Sequence, residues 1–214
     1  AGNAQEWTRF RGPNGTGIGL TKGIPSKFTV DDADWRVALK GEGHSSPVLW
    51  GGRVFVTGSN RAKGTFIVQC LRAKDGSEAW SVSRPQKSYR MHQFNHLTSS
   101  TPATDGKQLV VLVSEPDAHT VFAVDLEGKK LWERKFETII SNHGGGVSPI
   151  FYGDRVILAG DEESRSFLTA LDAASGNVLW KTDRANVKTA FSTQCCFVDP
   201  SGTEGLLFNS MAHG

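Results

Sequence analysis

The chain has 214 residues, of which 38% are hydrophobic and 24 are glycine, and its formal net charge is +2. This length accommodates one sizeable domain or two small ones. A nearly neutral chain with scattered basic residues does not favour nucleic-acid binding. No stretch approaches the ~18 apolar residues that a membrane helix requires, and no basic-then-apolar leader is recognisable within the 214 residues. Three cysteines, an odd number, predict no disulfide framework.

The first 34 residues are rich in glycine, proline and asparagine and show no hydrophobic periodicity. We predict that residues 1–34 form an N-terminal arm, which Trp7 and Phe10 hold against the rest of the chain. A flexible tail is the alternative. The short stretch that begins with Trp35 has the pattern of an outer β-strand, and residues 35–214 are predicted to form a second unit.

A strand, a glycine turn and a strand that carries tryptophan recur three times in this second unit. The glycine lies four residues before the tryptophan in each copy, as in Gly76 and Trp80, Gly128 and Trp132, and Gly176 and Trp180. A Ser-Pro or Thr-Pro phrase, a tight turn and a second apolar strand precede each copy. The tryptophans are 52 and 48 residues apart. Four strands in a period of this length are typical of propeller blades.

The repeat therefore predicts an all-β fold, a β-propeller of four-stranded antiparallel blades. Three complete blades are expected at about 44–84, 97–136 and 144–184, with a partial blade at 191–214. Because a blade cannot bury both faces alone, we expect the repeated tryptophans to pack between blades. Three unrelated hairpins in a β-sandwich are the alternative. Three blades and two partial ones do not close a ring, so we expect a fragment of a larger propeller, completion by a partner chain, or self-association.

Two segments of the sequence resemble a known family. The pattern Ala-x-Asp-x-x-Ser-Gly-x-x-x-Trp at 170–180, together with Trp-x-x-Phe-Arg-Gly-Pro-Asn-Gly-x-Gly at 7–17, resembles the pyrroloquinoline-quinone-like (PQQ-like) β-propeller repeats. The likeness is to a bacterial extracytoplasmic branch, similar to the propeller of the outer-membrane assembly lipoprotein. The first blade departs from the pattern, because Arg72 stands where aspartate is expected.

The resemblance implies a ring of seven or eight blades in a periplasmic or secreted protein. It also implies a non-catalytic binding or scaffolding function, with a protein or carbohydrate ligand at the propeller rim. The alternative is a PQQ-dependent dehydrogenase, or a fragment of one, that uses PQQ with Ca²⁺. We predict no cofactor and no catalytic residue, because no Asn, Asp and Glu group can be assigned to the Ca²⁺ site of such enzymes.

The vicinal pair Cys195 and Cys196 bears on that alternative, because some quinoprotein dehydrogenases place a disulfide between adjacent cysteines against the quinone. Here the pair lies in a predicted inner strand. Neighbouring side chains of a strand point to opposite faces, and a disulfide between them would require a distorted peptide. We therefore expect two small, buried residues on opposite faces, and an ordinary buried thiol at Cys70.

Histidines supply the predicted binding site. His44, His96 and His143 each precede an inner strand, so they should approach the channel mouth from one rim, where loops of different blades form ligand sites. The long connection before the second blade adds Arg90 and His92. Three imidazoles could hold Zn²⁺ in a metal-dependent enzyme, line a polar pocket, or simply face solvent.

Local spacing in these loops leaves further alternatives open. His92 and His96 are four residues apart, which would place both on one face of a helix, although no Glu follows His92 in the manner of a metalloprotease. The alternative is a long connector that packs Tyr89 and Phe94 on the propeller. The three glycines at 144–146 allow a close backbone approach or a flexible loop.

Overall fold

The computed structural model describes residues 5–140, 143–162, 165–185, 187 and 189–210. These residues form three four-stranded antiparallel sheets and one two-stranded sheet, and within each sheet the strands pair in chain order. The prediction of an all-β propeller fold is confirmed. The helices among the described residues are two 3-10 turns, Pro13–Gly15 and Val30–Asp32, and neither is long and apolar enough to cross a membrane.

The three complete sheets correspond to the three predicted blades. The strands of blade one are β1 (Val48–Trp50), β2 (Arg53–Asn60), β3 (Thr65–Arg72) and β4 (Glu78–Pro85). Those of blade two are β5 (Ala103–Thr104), β6 (Gln108–Glu115), β7 (Ala118–Asp125) and β8 (Lys130–Glu137). Those of blade three are β9 (Ile150–Tyr152), β10 (Arg155–Gly160), β11 (Phe167–Asp172) and β12 (Val178–Asp183). The partial blade contains β13 (Cys195–Val198) and β14 (Glu204–Leu207).

The hydrophobic core lies between blades rather than within one. One cluster joins side chains of blades one and two, including Phe55, Phe66 and Phe122. A second joins blades two and three, including Trp132 and Phe167. Blade two is covered on both sides, so seven of the eight residues of β6 and of β7 are buried. All six residues of β12, at the outer edge of blade three, are exposed.

Each blade carries the same β-bulge between its third and fourth strands. The register shifts between Cys70 and Leu71, between Ala123 and Val124, and between Ala170 and Leu171. In every blade the extra residue of the fourth strand directly precedes the repeated tryptophan. A bulge bends the strand and redirects the side chain beside it, which explains how Trp80 and Trp132 turn toward the next blade.

The repeated tryptophans join consecutive blades. The Trp80 Nε1–H donates a 2.8 Å hydrogen bond to the carbonyl of Leu126, and that of Trp132 donates one of 2.8 Å to the carbonyl of Ala173. Trp35 donates in the same way to Ala73, at 2.9 Å, although residues 35–39 form no assigned strand. The predicted packing between blades is confirmed. Trp180, at the same position of blade three, is 39% exposed.

The N-terminal arm connects the inner strands of three blades. Trp7 exchanges two backbone hydrogen bonds with Leu49, of 3.0 and 2.9 Å, and the Arg9 guanidinium donates to the carbonyl of Gln194. The Asn14 side chain donates to the carbonyl of Cys196 and accepts from its N–H, both at 2.8 Å. The segment around Trp7 is thus held against the blades, as expected, while the boundary at residue 34 stays a prediction.

We expect Asn14→Ala to loosen the partial blade locally. The variant removes both hydrogen bonds to Cys196, and each such bond contributes about 1 kcal/mol to stability. Hydrogen exchange of the Cys196 amide should become faster, and Asn14→Asp, which keeps only the acceptor, should have an intermediate effect. Unchanged protection of that amide in Asn14→Ala would show that the arm does not hold the strand.

Candidate functional site

The predicted site residues lie at one end of the blades, in the segments that precede the inner strands β1, β5 and β9. We call this end the rim. His44 and His96 are neighbours, with ring centroids 5.6 Å apart, and His92 lies against His143, with centroids 5.7 Å apart and planes inclined by 24°. The structure therefore forms two pairs and does not bring His143 to the other two members of the predicted trio. No group of three or more His, Cys, Asp or Glu side chains among the described residues could hold a metal ion.

The first pair sits in a partly buried hydrogen-bonded setting. The His96 Nδ1 is 3.2 Å from the Thr98 hydroxyl, which donates to the carbonyl of Glu42. Burial lowers the pKa of His96, and the charges of Arg61 and His44 lower it further. The Glu42 carboxylate acts in the opposite direction, but at 3.9 Å and largely exposed it does not compensate. The folded environment therefore favours the neutral form of His96.

The lowered pKa of His96 predicts that the fold loses stability on mild acidification. The unfolded chain binds this proton near pH 6.5, the ordinary value, whereas the folded chain binds it only at lower pH. The stabilisation that comes from the lowered pKa of His96 is complete above about pH 6.5, and it is lost as the pH falls through the folded-state pKa. Urea denaturation between pH 7.5 and 5 should show this loss in the wild type and a smaller one in His96→Asn. Equal pH slopes for the two proteins would contradict the assignment.

The second pair forms the wall between two adjacent cavities, which together we call the rim pocket. One cavity has a volume of about 350 Å³, and the residues that line it include His92, Phe94, Asn95, Ser99, His143 and Phe191. The other has a volume of about 550 Å³ and is lined by Arg90, Met91, His92, Gln93 and His143. Three of the five predicted site residues, Arg90, His92 and His143, thus share one pocket.

Glycine allows the loops of the rim pocket to approach each other. A Cβ at Gly145 would lie 2.0 Å from the Ser114 hydroxyl oxygen, and one at Gly144 would lie 2.9 Å from the Asn95 Nδ2. Of the two alternatives for the glycines at 144–146, a close backbone approach or a flexible loop, the structure shows the close approach. The Asn95 amide also donates to the carbonyl of His143. This bond connects the loop that carries His92 to the loop that carries His143.

A buried polar cluster lies beneath the glycine run. The Ser114 Oγ is 3.0 Å from the His119 Nδ1, and the His119 Nε2 is 3.3 Å from a Glu162 carboxylate oxygen. These residue types also form nucleophilic triads. Here, however, the three residues are 4%, 1% and 3% exposed, so no substrate can reach the hydroxyl. Burial also raises the pKa of the nearby Tyr89 to about 12. The cluster serves as a rigid base for the rim pocket.

Sequence reasoning missed part of the pocket. Phe94 was expected to pack on the propeller, as an alternative to binding, but it is 79% exposed. The loop forms no helix among the described residues, so His92 and His96 join different pairs despite their spacing. Phe191, which is 46% exposed, leads into the inner strand β13 as His143 leads into β9. That equivalence could have identified Phe191 from the sequence.

A groove with a volume of about 750 Å³ lies on the outer side, between β8 and β12. Its basic residues already have acidic partners. Arg184 lies 2.7 Å from Asp161, and Lys181 lies 2.6 Å from Asp183. Burial raises the pKa of Asp161 even so, since Arg184 does not fully offset it. We therefore regard the rim pocket as the better candidate site.

The adjacent cysteines do not form a disulfide of the kind that some quinoprotein dehydrogenases place against the quinone. Cys195 and Cys196 are free and only partly buried in β13, where they pair with Leu207 and Leu206. Cys196 packs against a cluster that contains Ile150. Alternation along a strand places the Cys195 side chain on the other face, but the two residues are less completely buried than expected. Cys70 is fully buried, and this burial raises its pKa to about 11.

Stacked four-stranded blades joined by tryptophans, with a pocket on the rim, define a β-propeller repeat protein. The family profile described as "Outer membrane protein assembly factor BamB" matches residues 32–139 and 117–212. The chain therefore belongs to this family of PQQ-like propeller repeats. No curated protein sequence matches it significantly.

Solved structures of similar fold include two dehydrogenases. A europium-containing methanol dehydrogenase is 18% identical with a TM-score of 0.49, over 66% of this chain and 25% of its own. The quinohemoprotein alcohol dehydrogenase from Comamonas testosteroni is 19% identical with a TM-score of 0.48, over 67% and 21%. BamB from Moraxella catarrhalis is 14% identical with a TM-score of 0.36, over 82% and 62%. The chain thus matches about a quarter or less of the length of the two dehydrogenases.

Proposed function

We propose that this chain is a non-catalytic binding propeller of the bacterial cell envelope, periplasmic or secreted, and that the rim pocket binds its ligand. The observation that carries the proposal is the exposed aromatic and imidazole surface at the rim. Phe94 is 79% exposed and lies 5.2 Å, between ring centroids, from His92. Phe94 and Phe191 line the same cavity, and exposed apolar patches rimmed by polar residues mark binding sites.

The construction of the pocket supports binding by recognition. Phe94 and Phe191 offer apolar ring surface, while Asn95 and Ser99 hold the loop through hydrogen bonds to His143 and to each other. The glycine run rests on the buried Ser114 and fixes the loop that carries His143. A prearranged surface loses less conformational freedom on binding. Carbohydrate or a polypeptide segment at the rim would suit these groups.

Binding arrays test the proposal. The labelled chain should bind reproducibly to at least one class of compound on an oligosaccharide array or on a peptide array. The double variant Phe94→Ala and His143→Ala should lose this binding, because it removes exposed ring surface from both loops. Lys74→Ala, at an exposed turn between β3 and β4, is the matched control and should bind normally. Binding that the double variant retains would place the site elsewhere.

The quinoprotein alternative gives a different result with the same protein. If the chain were a PQQ-dependent dehydrogenase, addition of PQQ with Ca²⁺ would produce a saturable change in absorbance and dye-linked alcohol oxidation. We expect neither for this chain. A saturable change accompanied by alcohol oxidation would replace the proposed binding function by a redox one.

A further inference from the structure

The rim pocket presents mainly hydrogen-bond donors. The guanidinium of Arg90 lines one cavity and is exposed. The His92 Nδ1 accepts a 3.3 Å hydrogen bond from the N–H of Phe94, so in the neutral ring Nε2 carries the hydrogen and donates. The carbonyl oxygen of Asn95 already accepts from the N–H of His96. The free donors of Arg90 and His92 therefore favour a ligand that supplies acceptors.

Carboxylates are absent from the pocket lining formed by the described residues. The nearby acidic residues are engaged elsewhere: Glu42 lies beside His96, Asp117 pairs with Lys87, and the buried Glu162 faces His119. Within the described ranges, Arg90 has no carboxylate within ion-pair distance. An exposed guanidinium beside two imidazoles favours an anion, which Arg can bind through two parallel hydrogen bonds.

We propose that the ligand of the rim pocket is an acidic carbohydrate, with its carboxylate at Arg90 and a sugar ring on the aromatic side. This inference rests on the proposed binding function and specifies its ligand class. The imidazole wall separates the cationic cavity from the cavity that contains Phe94 and Phe191. A uronic acid matches both sides, since it combines a carboxylate with a ring that has an apolar C–H face and hydroxyl groups.

The pocket favours a saccharide over an acidic peptide. Extended peptides commonly bind by adding a strand to an exposed sheet edge. The loops of the rim pocket contain no strand at residues 86–102 or 143–149, so they offer no such edge. Sugar rings need only a platform and a few polar groups, and a cavity of about 350 Å³ lies within the range of small-ligand pockets.

Isothermal titration with two matched trisaccharides tests the inference. The probes are α-1,4-linked trigalacturonate and the same trimer with methyl-esterified carboxyl groups, which differ in charge but not in ring structure. The wild-type chain should bind the acid about tenfold or more tightly than the ester, since hydrogen bonds to charged groups are the stronger ones. Arg90→Gln should reduce the affinity for the acid to that for the ester.

Two further variants separate charge from ring contact. Lys87→Gln removes an exposed cation of the same loop that already pairs with Asp117, so it should keep the preference for the acid. Phe94→Ala should weaken the binding of both probes by similar factors. Thermal unfolding of each variant should match that of the wild type, because all three side chains are exposed.

The outcomes distinguish this inference from the proposed function. Equal affinity for acid and ester would overturn the anionic ligand while leaving a carbohydrate-binding rim intact. Binding of neither trimer would overturn the inference, and the arrays would then decide whether the rim binds another ligand. The third probe is an acidic hexapeptide of Glu and Asp. If this peptide displaces trigalacturonate and binds more tightly than the trisaccharide does, the ligand is a polypeptide.

Discussion

Replacing Trp132 by alanine is expected to lower the free energy of unfolding by about 3–5 kcal/mol, the usual cost of truncating a buried aromatic residue. Trp132 is 6% exposed and belongs to the core cluster between blades two and three. Its indole N–H also satisfies the carbonyl of Ala173, which would lose its partner. Urea denaturation followed by circular dichroism measures the effect.

Trp180→Ala is the matched control, because it changes the same position of the same repeat. Trp180 is 39% exposed, and its neighbours Val178 and Leu179 are 48% and 51% exposed. We expect a loss of less than about 1 kcal/mol, as for most surface substitutions. Equal losses for the two variants would show that the tryptophans stabilise their own blades rather than the contact with the next one.

Gly176→Ala is expected to cost about 2–5 kcal/mol, from backbone strain together with steric overlap. Gly176 has a φ of +68°, and a Cβ there would lie 2.4 Å from the ring of Trp132. The glycine four residues before each tryptophan thus receives the tryptophan of the preceding blade. Chemical denaturation of the variant gives the total cost.

Gly153→Ala separates the cost of backbone strain from the cost of steric overlap. Gly153 has a φ of +58°, but no atom lies within 4 Å of the position of its Cβ. This variant should therefore cost only the strain of a left-handed residue, about 1–2 kcal/mol. If Gly176→Ala cost no more than Gly153→Ala, the close approach of the indole would contribute nothing to stability.

The fold could be predicted because its pattern is local and repeated. The spacing of Gly128 and Trp132 is the same in all three blades, since each blade must receive one indole and provide another. The β-bulge before each tryptophan was not predicted. No residue type marks it, because residues as different as Ala79 and Leu131 occupy the extra position.

The site was less predictable than the fold. The sequence predicted a single rim for the histidines that precede the inner strands, but it did not predict how these histidines are grouped. His143 pairs with His92, rather than with His44 and His96. The connection that carries His92 has no periodic structure, so its spacing did not indicate which loop it would meet.

The sequence alone determined the strand order, the blade repeat and the residues that join the blades, because these depend on alternation and spacing over short distances. The tertiary structure alone decided which loops meet at the rim, that Gly145 rests on Ser114, and that Phe94 stays exposed. Those contacts join residues from different blades. Their distances depend on how the blades stack, and no local pattern specifies that arrangement.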